Sequence, residues 1–505
     1  MELKIFGQIV KPVTNFNKKD LIIFLAIICL YFLTRTINLT KLPIFCDEGI
    51  YIRWAKVAWH DASWRFISLT DGKQPLQTWV TIPFLKLFPN NMLLAGRLFS
   101  VTGGFIGLIG AFSLLFFLFG KNIALIGSLF YVFTPYFLFY ERMALVDSWV
   151  NAGAIWILFL SIFVVKKRRL DLSLLFGFIG GFFLLAKSSV QMFVMLSVFA
   201  PVIILQKNLK RLFSDSINYY ILFGISSVIA LIIYNVQRLS PFFQFVNLKS
   251  YTFIMSFQEF LKTPFQYFSH NIKYLPLYVS WEMGFVLTLY GLLGLFLLFK
   301  NEKRLASYLC IWILLPFTFL CFFTKVLFPR YLIFFSSLLL IPASYFIFQF
   351  KKPLVKIFLM LVFFISIIYF DYSILFDQKN IPFPDVDRGQ YLEGWTAGWG
   401  IKDIVDFARG KSTTKPVIIM AEGNFGMAGD VLDVTLKKDD KISIKAYWPL
   451  DDRQLIINQP FLKDNYIYVV FVHRVDFPKN WPMKLIKKYG KPGGKENIYL
   501  FELTK

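Results

Sequence analysis

The sequence predicts a polytopic α-helical membrane protein of about eleven transmembrane helices, with a soluble α/β domain after them. Three observations carry that prediction. Hydrophobic residues make up 57% of 505, above the 45–50% of ordinary soluble domains. The excess comes in blocks of about 20 residues, the length that spans a bilayer. Near residue 377 the composition turns polar and strand-like, which divides the chain into 1–376 and 377–505.

The first block, Leu21–Leu39, follows the basic residues Lys4, Lys11, Lys18 and Lys19 and has no small-residue cleavage site after it, so it reads as a retained signal anchor. Further blocks run roughly Met92–Phe119, Asn122–Tyr140, Ala144–Val165, Leu170–Ala186, Ser189–Leu205, Ile217–Val236, Trp281–Phe299, Leu305–Phe323, Tyr331–Phe350 and Leu354–Leu375. The basic clusters Lys166–Arg169, Lys207/Lys210/Arg211, Lys300/Lys303/Arg304 and Lys351/Lys352/Lys356 all fall on the amino-terminal side of alternating spans. Positive loops stay inside. The expected topology therefore puts the amino terminus in the cytoplasm of a multi-pass cell-membrane protein. Outside lie a first loop (40–91), a second (238–280) and the 377–505 domain.

In the outer loops, Ile50, Trp54, Val57 and Ala58 form one apolar stripe with Arg53 and Lys56 off it, which predicts a helix in the interface plane. Phe257, Phe260, Leu261 and Phe265 predict a second. In the final domain, Val417–Met420, Ile442–Ala446, Tyr466–Val472 and Asn497–Leu503 read as strands, and Ile401–Arg409 and Trp481–Tyr489 as helices.

The net charge of +23 does not point to nucleic acid. From Asp377 onward 20 basic residues meet 17 acidic ones, leaving 34 basic and 14 acidic residues upstream, where topology and anionic lipid head groups account for them. Cys29, Cys46, Cys310 and Cys321 offer neither a disulfide framework nor zinc spacing. Asp430, Asp433, Asp439 and Asp440 lack calcium-loop order and read as a solvated face. The run Gly423–Gly429 lacks phosphate-loop spacing and reads as a turn.

The charges that topology does not explain lie at the outer ends of spans: Arg97, Arg142, Lys187, and Lys325 with Arg330, sharing one face with Asp47, Glu48, Glu141 and Asp147. Cations on the wrong side either pair with acids or line a polar pathway. Among them, Asp47 and Glu48 open the first outer loop, and the Asp71-Gly72 turn followed by Pro75 presents Lys73. These groups form the candidate site. Its carboxylates are Asp47, Glu48 and Asp147, and its cations Lys73, Arg97, Arg142, Lys187 and Arg330.

The motifs in this region resemble the membrane-embedded GT-C glycosyltransferases, in particular the aminoarabinose transferase and protein mannosyltransferase group. They are P-x-x-x-D-E-x-x-Y (Pro43–Tyr51), G-K-Q-P-L-x-x-W (Gly72–Trp79), A-G-R-L-F-S (Ala95–Ser100), A-L-V-D-S (Ala144–Ser148), L-A-K-S (Leu185–Ser188) and P-R-Y-L (Pro329–Leu332). Two positions depart from the group's pattern: Gln74, where a second proline is common, and Ser188-Ser189, where Gly-Pro is common.

The resemblance implies a hexosyl- or pentosyltransferase. It would move a sugar, with inversion, from a polyprenyl-phosphate carrier to a glycolipid, glycan or protein acceptor on the outer face. Catalysis would rest on Asp47, as the base that the acceptor hydroxyl needs, and on Glu48. Substrate binding would rest on Asp147 and on Lys73, Arg97, Arg142, Lys187 and Arg330, the fixed cations that a phosphate leaving group needs. Glu48 would orient an acceptor or a cation, and Asp147 would hold an arginine. A divalent cation on Asp47, Glu48 and Asp147 stays open as an alternative to a metal-free site. A lipid-carrier or polysaccharide flippase is the competing reading. Flippases place their charges near the bilayer midplane, whereas these charges are expected at outer ends. A non-catalytic sensor would leave the Asp47–Lys73 stretch without a purpose.

Overall fold

The structure, a computed structural model, describes residues 16–505 and the backbone of two short paired strands, β1 (Lys4–Ile5) and β2 (Gln8–Ile9). The Lys4 and Lys11 side chains of the basic amino terminus lie outside the described residues. Helix α1 (Lys18–Thr36) starts where the Asn17 side chain accepts from Asp20 N and the Asp20 carboxylate accepts from Asn17 N, each at 2.9 Å. These bonds satisfy two of the free donors at a helix start.

After α1 come α2 (Cys46–His60), α3 (Leu76–Leu87), α4 (Met92–Phe119), α5 (Lys121–Phe133), α6 (Pro135–Tyr140), α7 (Asp147–Lys167) and α8 (Leu170–Leu184). Each apolar block read from the sequence coincides with a helix or a pair of helices. By length and composition, five helices of the described residues can cross a membrane alone: α4, α7, Leu209–Leu239, Lys303–Phe323 and Pro353–Phe376. The bent pair Phe268–Met283 and Phe285–Asn301 makes a sixth if counted as one span. It turns by 109° at Gly284, whose φ of +86° suits a residue without Cβ. The Asn122–Tyr140 block is likewise divided at Thr134, since Pro135 starts a new helix.

Burial separates centre from rim. The most apolar window of α7 is 83% buried, against 17% for Leu209–Leu239 and for Pro353–Phe376. The central helix thus begins at Asp147, and the peripheral ones turn apolar side chains outward, as helices facing lipid do. The α4–α7 seam is close because Gly103 and Gly110 leave room for Trp149 and Trp156, and Gly107 likewise admits Tyr131 of α5.

The carboxyl-terminal part is a five-stranded mixed sheet of β3 (Val417–Glu422), β4 (Ile442–Tyr447), β5 (Tyr466–Phe471), β6 (Met483–Gly490) and β7 (Asn497–Leu503), in the order β4-β3-β5-β7-β6. Strand β3 runs parallel to β4 and β5, and β7 runs antiparallel to β5 and β6. Of residues 481–489, expected to be helical, those from Met483 onward instead form the edge strand β6, with a bulge between Leu485 and Lys487. The apolar pair Leu485-Ile486 and the lysines around it fit a strand paired on one side only.

Helix α2 forms where the apolar stripe predicted it. Its apolar stripe packs on protein, between α3 and α4 on one side and the short helix Gly429–Thr435 on the other. At Gly49 a Cβ would fall 2.6 Å from Val431 Cγ2. Arg53 pairs with Asp430 at 3.0 Å, and Lys56 with Asp433 at 3.1 Å. Asp430 is buried, so it and Asp433 hold this helix to the sheet part and do not form a solvated face.

Candidate active site

The first turn of α2 holds two neighbouring carboxylates in different surroundings. Glu48 is fully buried; its oxygens accept from Phe45 N (2.9 Å), Ala144 N (2.6 Å), and Arg97 Nε (2.9 Å) and Nη2 (2.8 Å). The remaining Arg97 donors reach the carbonyls of Leu39, Leu42 and Pro43. All five guanidinium N–H groups therefore have acceptors within the protein, and no edge is left for a ligand. Arg142 is also turned inward, donating to the carbonyls of Thr34 and Arg35 at the end of α1. Its neighbour Glu141 pairs with Arg35 at 2.9 Å. Glu48, Arg97 and Arg142, expected at the site, are instead placed as ties between segments of the bundle.

Asp47, Lys73, Asp147, Lys187 and Arg330 converge. Asp47 Oδ2 accepts from Arg330 Nη1 at 2.8 Å, and Asp147 Oδ1 from Lys187 Nζ at 2.8 Å. Asp147 thus holds a lysine where an arginine was expected. The four residues besides Asp47 line one pocket, together with Tyr51 and Trp54 of α2 and Tyr331. Asp47 joins them through its bond to Arg330. The ring of Tyr331 lies 4.1 Å from Lys187 Nζ and 5.2 Å from the Arg330 guanidinium carbon, which spaces the two cations. Arg330 Nε is buried without an acceptor.

The Lys73 loop is held by its turn. Gly72, at φ +66°, ends a short 3-10 helix, and Asp71 pairs with Lys249 at 2.6 Å. Lys73 itself is half-buried, with Nζ 5.0 Å from the Phe253 ring and no ion pair among the described residues. Burial, and next the nearby Lys187 charge, push its ammonium down to about 8, with Asp47 and Asp71 opposing.

The three carboxylates considered for a divalent cation do not share a site, because both Glu48 oxygens are engaged on Arg97 and backbone donors. Among the described residues no group of three or more His, Cys, Asp or Glu is placed to hold a metal ion. Lys325 lies apart, paired with Glu259 at 2.8 Å.

Sequence reasoning gave no role to Tyr51 or Tyr331 and took Gln74 and Ser188 only as departures from the group's pattern, although all four sit inside the motifs that drew attention. It missed Asp387 and Glu282 altogether. Both are fully buried, and the Tyr140 hydroxyl donates to Asp387. Burial pushes the Asp387 carboxyl up to about 7, with the Tyr140 hydrogen bond opposing. Neither residue lies in a motif.

This bundle, with its pocket at the start of the central helix beside a small sheet domain, has the fold of the GT-C glycosyltransferases. The family model for dolichyl-phosphate-mannose-protein mannosyltransferase matches residues 72–234, a stretch that includes Lys73, Asp147 and Lys187 but neither Asp47 nor Arg330. Among solved structures, the chain is similar to ArnT from Cupriavidus metallidurans bound to undecaprenyl phosphate. The TM-score is 0.61 at 14% identity, covering 95% of this chain and 97% of that one. It is also similar to the oligosaccharyltransferase of Archaeoglobus fulgidus tethered with an acceptor peptide, with TM-score 0.52, 11% identity, and coverage of 90% and 69%. No curated protein matches in sequence.

Proposed function

We propose that the protein is a glycosyltransferase that moves a sugar from a polyprenyl-phosphate carrier to a glycolipid, glycan or protein acceptor at the outer face of the membrane. The observation that carries this reading is the pocket where Asp47, on Arg330, stands beside Lys73 and the Lys187–Asp147 pair. Asp47 takes the proton of the acceptor hydroxyl, and the freed oxygen attacks the anomeric carbon of the sugar. The bond from that carbon to the phosphate oxygen breaks, and its electron pair stays with the carrier phosphate.

The charges follow the reaction. Three cations against two carboxylates leave one net positive charge, which suits the single negative charge of a phosphodiester donor. When Asp47 becomes protonated the pocket gains a second positive charge, as the departing phosphate monoester gains a second negative one. Fixed charges placed where charge develops act more strongly in a partly dry site than at an open surface. The relatives support the donor class, since one of them is bound to undecaprenyl phosphate. The loop charges support the orientation, and in this reading residues 377–505 form an outer domain that steadies α2.

The test is reconstitution in nanodiscs with labelled polyprenyl-phosphate sugars and a panel of acceptors. Transfer by the wild type and its loss in Asp47→Asn are expected. Transfer that survives Asp47→Asn removes Asp47 as the base, and movement of intact carrier without sugar transfer would favour a flippase.

A further inference from the structure

The two lysines that face the pocket come from segments more than a hundred residues apart, and like charges so placed repel. Two bonds hold their segments together. Leu76 N, just after the Lys73 loop, donates to Leu185 O at 3.0 Å. Gln74 Nε2, on the residue after Lys73, donates to Ser188 Oγ, on the residue after Lys187. Gln74 is buried and lines the pocket, and the Tyr234 hydroxyl lies against its amide. These are also the two positions where the chain departs from the resembling group's pattern. The departures meet each other.

We propose that Gln74 and Ser188 are positioning residues whose hydrogen bond holds Lys73 and Lys187 at one anion-binding station before any ligand arrives. The inference rests on the reading of the pocket as a phosphate site. A cradle assembled in advance spares the ligand the work of bringing like charges together, so the tie acts on affinity and not on the chemical step. A proline at 74 would fix the loop through its own ring but offer no side-chain donor, whereas this chain fixes the loop by a bond across to the Lys187 turn.

The experiment uses the full chain in nanodiscs and a polyprenyl monophosphate as the probe. Binding is measured between pH 7.5 and 10, where the probe's own second ionisation is nearly complete. Ser188→Ala and Gln74→Ala are each expected to weaken binding by roughly 3- to 10-fold, the usual range for one lost hydrogen bond. The double variant is expected to be no weaker than either single one, and Ser188→Thr, which keeps the hydroxyl, to restore affinity.

A merely structural bond would not move the pH profile, but this one should. The charged groups facing Lys73 are Lys187, Asp47, Asp71 and Lys249. Loosening the tie takes Lys187 away, so the alkaline loss of binding, centred near pH 8 in the parent, should shift upward in Ser188→Ala. Additive single effects, or an unmoved midpoint, overturn the tie. If Lys73→Ala abolishes binding while Ser188→Ala matches the parent, the tie fails and the phosphate site stands. If Lys73→Ala binds as well as the parent, both fail together.

Discussion

Asp47 and Glu48 are adjacent on the first turn of α2, yet Asp47 meets Arg330 at 2.8 Å in the pocket while Glu48 meets Arg97 at 2.8 Å in the core. Successive helical positions point about 100° apart, so one turn supplies both a carboxylate on the pocket and a buried one that anchors the helix. The anchor is rigid because every donor and acceptor in it is matched. Asp47 keeps an exposed edge.

Asp47→Asn is expected to lower turnover by roughly 10²–10⁴, the share a positioned general base contributes. Binding of a polyprenyl monophosphate should hold or tighten, since the substitution removes the carboxylate that competes for Arg330. Turnover and binding measured on the same nanodisc preparation check both halves. Weaker binding in the variant would show that Asp47 acts on the donor.

Lys73 gives the pocket a pH limit. Its ammonium is pushed down to about 8, so the cation is present below that value and is lost as pH rises through it. Donor affinity should be level up to about pH 7.5 and decline above it. In Lys73→Arg the guanidinium stays protonated across this range, and the alkaline decline should disappear even if affinity at pH 7.5 is lower. An unchanged decline would assign the limit to another group.

Glu48→Ala should act on stability first. It leaves Arg97 buried and short of its carboxylate, a change that destabilises by about 3–5 kcal/mol. Glu48→Gln keeps an acceptor oxygen and should fall between Glu48→Ala and the parent. Thermal unfolding in detergent, followed beside phosphate binding by the folded fraction, separates the effects. Normal stability in Glu48→Ala would contradict the structural role.

The α2 contact with the sheet part can be tested by size and by charge. Gly49→Val must displace Val431, whose backbone also lies within 3.2 Å of the position a Cβ would take. A displacement of about 1 Å at Asp47 is enough to reduce turnover about 10²-fold. Asp433→Ala removes only a partly exposed ion pair, worth about 0–1 kcal/mol, and should leave turnover within about threefold. Comparable effects from the two would show that charge, not fit, holds the contact.

The apolar helices were legible because a bilayer-length apolar block is a signal that survives without tertiary knowledge. Of about eleven expected spans, however, five, or six with the bent pair, are long and apolar enough to cross a membrane among the described residues. The cations outside the basic loops were legible as a group but not individually. Arg97, Arg142, Lys187 and Arg330 look alike in sequence, and only packing shows that the first two end on carbonyls and a buried carboxylate, while the other two face a pocket. Asp430 and Asp433 misled for a related reason, since a carboxylate that pairs across a domain contact has the same local pattern as one facing water. Residues 481–489 misled through their apolar spacing, which fits one helical turn as well as an edge strand. Asp387 and Glu282 gave no local signal at all.

The pocket also has a history in time. The Arg330 that meets Asp47 is made 283 residues after it, and the Asp433 that meets Lys56 comes 377 residues after its partner. At ordinary synthesis rates the second gap is roughly 20–75 s. For most of that interval α2 carries its carboxylate without the arginine, and for all of it without the sheet part's Asp433. A half-made chain therefore lacks the assembled pocket, which closes only once Arg330, about two thirds of the way along the chain, has emerged.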